Sequence, residues 1–183
     1  MYKLFYNSCV PTEQLKPVLT LDACLEGANN NNLTYRTNLV RLNWIIQDLK
    51  YNNIQKPFLV DDKLQIITGD TRYMAIQFHP NIQHVPCLMT AETCNDPGWV
   101  DIKNKTELGE LLDIDPEDII TNYDWELKPL DWIEFAFYGP ACNHMHDESQ
   151  RERMIVNYLT QHPDTVFNQA WVSEKIDWSL YDH

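Results

Sequence analysis

Apolar and polar positions change rhythm several times along this chain, and each change predicts an element. Tyr2–Tyr6, Phe58–Val60, Leu64–Thr68 and Val85–Met89 are β-rich runs that predict strands, and Pro17–Leu21 reads as a further early strand. The polar Asp61-Asp62-Lys63 between two of these runs predicts a hairpin turn. From Arg36 to Lys50 the period becomes helical. Leu39, Leu42, Ile45, Ile46 and Leu49 form one apolar stripe, Trp44 broadens it, and Asn43, Gln47 and Lys50 lie away from it. Thr34 or Thr37 is the expected cap. A second helix is predicted from Thr71 to Phe78, where Met74, Ala75 and Phe78 recur at three to four residues, and Pro80 stops it. Gly27–Asn32 reads as a surface loop, and Pro11 and Pro17 bracket a loop or single turn.

Asp96-Pro97-Gly98 is a turn signal and the natural boundary between two halves, 1–95 and 96–183. Beyond it, Thr106 to Asp113 predicts a short helix, and Asp115-Pro116 predicts another with Ile119 and Ile120 on its apolar side. The stretch from Asn122 to Tyr138 is rich in aromatic residues. Pro129 forbids one continuous helix there, and the alternation of Trp132, Ile133, Phe135 and Phe137 predicts a strand joining the sheet. Asp147 and Gln150 have the spacing of a capping box for a helix reaching Thr160, with Met154, Ile155, Tyr158 and Leu159 inward. A last docking helix is expected in Val166–Tyr181, with Trp171 and Trp178 against the core. The predicted class is α+β: a small mixed sheet with packed helices, extended by an acidic, Trp-rich α/β half.

Charge changes this picture most. Through Thr90 eight Lys/Arg face seven Asp/Glu, a net of +1; from Ala91 onward six face twenty, a net of −14. The second half repels phosphates, so direct DNA binding by it is not expected, and a basic protein partner is. The five cysteines are scattered and odd in number, and none forms a C-x-x-C, which argues against a disulfide framework or a zinc ribbon and for a reducing, cytoplasmic setting. No stretch is long and apolar enough to span a membrane, and the N-terminus lacks the pattern of a signal peptide. Cys142, His144, His146 and Asp147 are metal-ligand types, but adjacent positions seldom converge on one ion, so helix entry is the preferred reading and no metal site is assigned.

Candidate chemistry centres on Gly69. A chain that leaves a strand through glycine and enters a helix turns unpaired N–H groups outward at the positive end of the dipole, which suits an anion. Asp70, Thr71 and Arg72 follow directly, and the Arg72 fork suits a phosphate. The order from about Thr34 to Thr90 is an amphipathic helix, Lys56-Pro57, a hairpin, G-D-T-R, a helix and Val85-Pro86. It resembles the ParB/sulfiredoxin-like superfamily, whose members carry G-E-R-R or G-C-H-R at this turn. The resemblance covers about half of the chain. It implies a nucleoside triphosphate with Mg²⁺ on Gly69, Asp70, Thr71 and Arg72, with Arg36 and Lys56 nearby. It also implies Asp70 as the catalytic candidate for a weak phosphohydrolase, phosphotransfer or nuclease activity. Two departures qualify it: Thr71 replaces the first arginine, and Asp70 replaces the sulfiredoxin cysteine, so sulfinic-acid reduction is not expected. The family's DNA-binding helix-turn-helix has no counterpart in the acidic half. The competing expectation is a non-enzymatic acidic protein, a DNA mimic or docking module of the kind phages and mobile elements encode, acting in the host cytoplasm.

Overall fold

The structure, a computed structural model, describes residues 2–126, 133–137, 143 and 148–182. It is an α+β fold with six α-helices, a five-stranded mixed sheet and a two-stranded sheet among the described residues. The chain divides into two compact units that interleave in sequence. The first is Met1–Lys16, Ile54–Thr68 and Gln83–Cys142, and the second is Pro17–Asn53, Gly69–Ile82 and Asn143–His183.

The first unit holds both sheets. β1 (Lys3–Pro11), β2 (Phe58–Val60), β3 (Ile66–Thr68), β4 (His84–Ala91) and β5 (Val100–Ile102) lie in the order β3-β2-β4-β1-β5. The boundary expected near residue 95 therefore falls between β4 and β5, inside this unit. β2 and β3 form the predicted antiparallel hairpin, and β2 runs parallel to β4 with Phe58 opposite Cys87. β1 is longer than Tyr2–Tyr6 because it continues past a register shift between Asn7 and Val10, where Ser8 and Cys9 are exposed. Leu4, Tyr6, Leu59, Leu88 and Ile102 share a core with Leu108 of α4 (Lys105–Leu112), Ile119, Phe135 and Phe137.

Two expectations for this unit fail. After Pro116 the chain makes only one 3-10 turn, Pro116–Asp118, and Ile119 and Ile120 then extend as β6 (Ile119–Thr121). β-branched residues lose χ1 freedom in a helix and fit a pleated surface better. β6 pairs with β7 (Phe135–Phe137), so the strand expected to join the main sheet forms a separate two-stranded one. α4 ends at Asp113 in the left-handed region (φ 56°), and Gly109 lets the next turn approach: an added Cβ would meet the Ile114 carbonyl at 2.8 Å.

The second unit is helical and built on α2 (Leu33–Asp48), which touches α1 (Leu21–Asn29), α3 (Asp70–Ile76), α5 (Glu148–Gln161) and α6 (Gln169–Ser173). The predicted stripe is buried throughout. The early strand at Pro17–Leu21 does not form. Thr20 accepts a hydrogen bond from the Ala23 N–H and starts α1 instead, and this helix absorbs part of the expected Gly27–Asn32 loop. α2 is capped by Asn32, which accepts from the Tyr35 N–H, rather than by Thr34 or Thr37. The C-terminal docking helix is two short pieces, α6 and a 3-10 turn at Trp178–Tyr181, each with its own Asn or Asp cap. Trp178 packs at a tilt against Trp44 and Tyr158, with ring centroids 6.2 and 5.5 Å apart. Among the described residues no helix is long and apolar enough to cross a membrane.

Candidate functional site

Gly69 has φ 128°, a conformation open to glycine, and is the N-cap of α3 with no side-chain cap. Gly69, Asp70, Thr71 and Arg72 thus share one turn in the second unit. Their side chains are not laid out as a ligand cradle alone. Asp70 Oδ1 accepts from the Val18 N–H at 3.1 Å and the Leu19 N–H at 3.5 Å, which ties the approach to α1 onto the start of α3. The thiol of buried Cys24 is pushed up to about 11, mainly by burial and further by the negative charge of Asp70. A thiol raised in this way stays in its neutral form near pH 7. Arg72 is 7% exposed and is engaged within the protein rather than free.

Arg36 lies in the first turn of α2, but its guanidinium serves backbone. It donates to the carbonyls of Pro163 at 2.9 Å, Thr165 at 3.3 Å and Ala28 at 3.5 Å, and lies 5.1 Å from the Phe167 ring centroid. These bonds hold the C-terminal segment rather than pointing the guanidinium at the Gly69 turn. Lys56 belongs to the first unit, half-buried before β2, and is also engaged. The structure therefore gathers Gly69–Arg72 in one turn, commits Asp70 and Arg36 to structural bonds, and leaves Lys56 to the other unit.

Asn43, expected away from the stripe, is fully buried; its amide donates to the carbonyls of Glu174, Val172 and Trp171 at 2.8 to 3.3 Å. Asp48 is 4% exposed, and burial raises its carboxyl above the ordinary range, against the opposing amides of Asn52 and Asn143. No pattern of hydrophobicity signals either role.

The acidic half looks different. Nine Asp and Glu lie between Asp101 and Glu126, against Lys103 and Lys105 alone, and Glu134 makes a tenth. None of these carboxylates is fully buried. Leu111 and Ile120 stand exposed among them. Several acids do bind backbone: Asp115 Oδ1 accepts from the Glu117 N–H and Asp124 Oδ1 from the Glu126 N–H. Asp113, however, sits at the C-terminus of α4, where the dipole disfavours negative charge.

Comparison with models of known families, with curated proteins and with solved structures finds no match. The residues and their geometry are therefore the whole basis for function. Among the described residues, no three His, Cys, Asp or Glu side chains group to hold a metal ion. The Cys142–Asp147 cluster, apart from Asn143, lies outside the described residues, as does the start of its capping box.

Proposed function

We propose that this chain is an acidic interaction protein that docks a basic protein partner on the surface formed by residues 101–126 and Glu134. One observation carries the reading: ten carboxylates against two lysines among the described residues of that segment, none fully buried, interspersed with exposed Leu111 and Ile120. Crowded like charges oppose folding, and a carboxylate at a helix C-terminus adds to that cost. A cationic partner relieves both. Basic surfaces that hold nucleic-acid phosphates have the matching chemistry, so a protein that binds nucleic acid is the partner class favoured.

The test uses a fluorescein-labelled oligolysine and two variants of equal charge change. One carries Glu110→Gln, Asp113→Asn, Glu117→Gln and Glu126→Gln. The other carries Asp22→Asn, Glu26→Gln, Asp164→Asn and Glu174→Gln in the second unit. The first is expected to lose about tenfold in affinity at low salt and to flatten the salt dependence. The second should bind nearly as the wild type does. Equal losses in both would mean that net charge alone drives binding, and the docking face would be abandoned.

A second reading, a nucleoside triphosphate with Mg²⁺ on the Gly69 turn, is supported by the φ of Gly69, the uncapped start of α3 and the helix, hairpin, glycine, helix, strand order with β2 parallel to β4. The turn suits a phosphate; Arg36 does not, because three carbonyls already hold it. With Asp70 bound to two backbone N–H groups, the reading is binding without hydrolysis. Calorimetry with ATP, CTP, GTP and UTP plus Mg²⁺ checks it. Heat with one of them, diminished in Arg72→Lys, supports the site; no heat with all four removes it.

A further inference from the structure

The first unit contains a cavity of about 500 Å³ that none of the expectations above assigns. One wall is the register shift of β1 between Asn7 and Val10. Such bulges bend a strand and re-aim side chains, and they recur next to binding sites. A second wall is the tip of the β2–β3 hairpin. Leu64 there has φ 62°, an uncommon conformation for a bulky residue. It is held in place: Asp61 Oδ1 accepts from the Lys63 N–H at 2.8 Å and the Gln65 N–H at 2.9 Å, and the Lys16 N–H donates to the Leu64 carbonyl at 2.9 Å. The third wall is the loop after β4. Asp96 Oδ1 accepts from the Gly98 N–H at 2.9 Å, and the Asp96 carbonyl accepts from the Trp99 N–H at 3.1 Å. In the bulge Asn7 Oδ1 accepts from the Cys9 N–H at 2.9 Å, so each wall is fixed by its own hydrogen bonds, as a preformed site requires.

The lining has a definite chemistry. Asp62 and Asp96 supply two carboxylates, Asn7, Gln14 and Asn95 supply amides, and Trp99 supplies a half-buried indole. Among the described residues no lysine or arginine lines the cavity. A carboxylate that accepts one backbone bond retains further acceptor capacity. Two carboxylates and amide oxygens beside an indole match a planar, multiply donating cation: the carboxylates accept forked N–H pairs, and the ring attracts the cationic face. A compact ammonium uses the planar features less well. The volume is ample for one such side chain with its stem.

We infer that this cavity receives the guanidinium group of an arginine, presented by a partner chain or carried by a small free guanidine. The inference is separate from the acidic-face reading, because none of the lining residues lies between Asp101 and Glu134.

The test is an amide-resolved NMR titration of the full chain with N-acetyl-arginine amide, its lysine and citrulline counterparts, methylguanidine, and a Gly-Gly-Arg-Gly-Gly peptide. The arginine probe should shift the Asn7 and Gly98 amides and the Trp99 indole N–H, with affinity on the order of millimolar. Uncharged citrulline should leave them unmoved. Asp62→Asn with Asp96→Asn, which keeps the acceptor for Gly98, should weaken arginine binding about tenfold. Trp99→Leu should erase the preference for arginine over lysine. Binding of the peptide as tight as that of the amide identifies a partner's side chain as the source; binding of methylguanidine with exclusion of the peptide identifies a small guanidine. The inference is overturned if the arginine probe leaves all three signals unshifted, if citrulline binds equally, or if the double variant binds as the wild type does. The Glu110→Gln, Asp113→Asn, Glu117→Gln, Glu126→Gln variant should retain arginine binding, so a failed docking face and a failed cavity are told apart.

Discussion

In the second unit, α2 buries Arg36, Asn43 and Asp48; in the first, residues 101–126 and 134 carry ten exposed or half-buried acidic side chains. Both regions are unusually polar for their element content, yet the polarity does opposite things. The buried groups join segments far apart in sequence: Arg36 reaches Pro163 and Thr165, and Asn43 reaches Trp171, Val172 and Glu174. A buried polar group without a partner is costly, so the bonds of Arg36 and Asn43 make the helical unit specific. Among the exposed and half-buried acids, Glu107, Asp115 and Asp124 bind backbone close by in sequence. On the docking reading proposed above, the charge available for recognition is the part that backbone does not consume.

The sharpest way to break this contrast is Arg36→Met. It fills similar volume but removes the guanidinium from the Pro163 and Thr165 carbonyls, while the Ala28 carbonyl keeps the Asn31 N–H at 3.0 Å. We expect a loss of about 3 kcal/mol in urea unfolding. A loss below about 0.5 kcal/mol would show that water satisfies those carbonyls and that Arg36 is dispensable to the fold. Asn43→Leu should follow at about 2 kcal/mol, since the carbonyls of Val172 and Glu174 lose one amide.

These positions also mark what the sequence can tell. The stripe Leu39–Leu49, the hairpin, the Gly69 break and the helix ending before Pro80 were legible because periodicity and turn chemistry are local. The roles of Arg36 and Asn43 were not, because their partners near the C-terminus lie more than a hundred positions away, and a polar residue on an apolar helix reads as solvent-facing by default. Pro17–Leu21 misled for a related reason: its β-rich composition yields to Thr20 capping α1. At the Gly69 turn the backbone was legible. That Asp70 would bind Val18 and Leu19 was not, since a carboxylate after glycine is equally suited to capping, to metal binding or to a tertiary bond.

Asp48→Asn probes the contrast from the other side. Burial raises the Asp48 carboxyl, so the folded state holds its proton to higher pH than the unfolded chain does. The contribution of this group to stability is complete below the ordinary carboxylate range, near pH 4. It is lost as pH rises through the raised folded value and is flat beyond it. The substituted amide carries no charge to bury. The variant should match the wild type at low pH and exceed it by about 1 kcal/mol at pH 7. Equal stability at both pH values would mean that Asn52 and Asn143 fully offset the burial of the charge.

The smallest expected effect on stability belongs to the acidic face, and there smallness is the point. Neutralising Glu110, Asp113, Glu117 and Glu126 removes charge from exposed side chains. None of the four is among the turn-capping acceptors Asp115 and Asp124. The melting temperature should hold or rise slightly, with a change within about 0.5 kcal/mol, because asparagine suits the left-handed position of residue 113 and no longer opposes the dipole of α4. The same substitutions should cost about tenfold in affinity for a cationic probe. Stability kept while binding falls is the signature of charge held for recognition. A drop in melting temperature comparable to that of Arg36→Met would place the acids in the fold after all, and the division between the two regions would disappear.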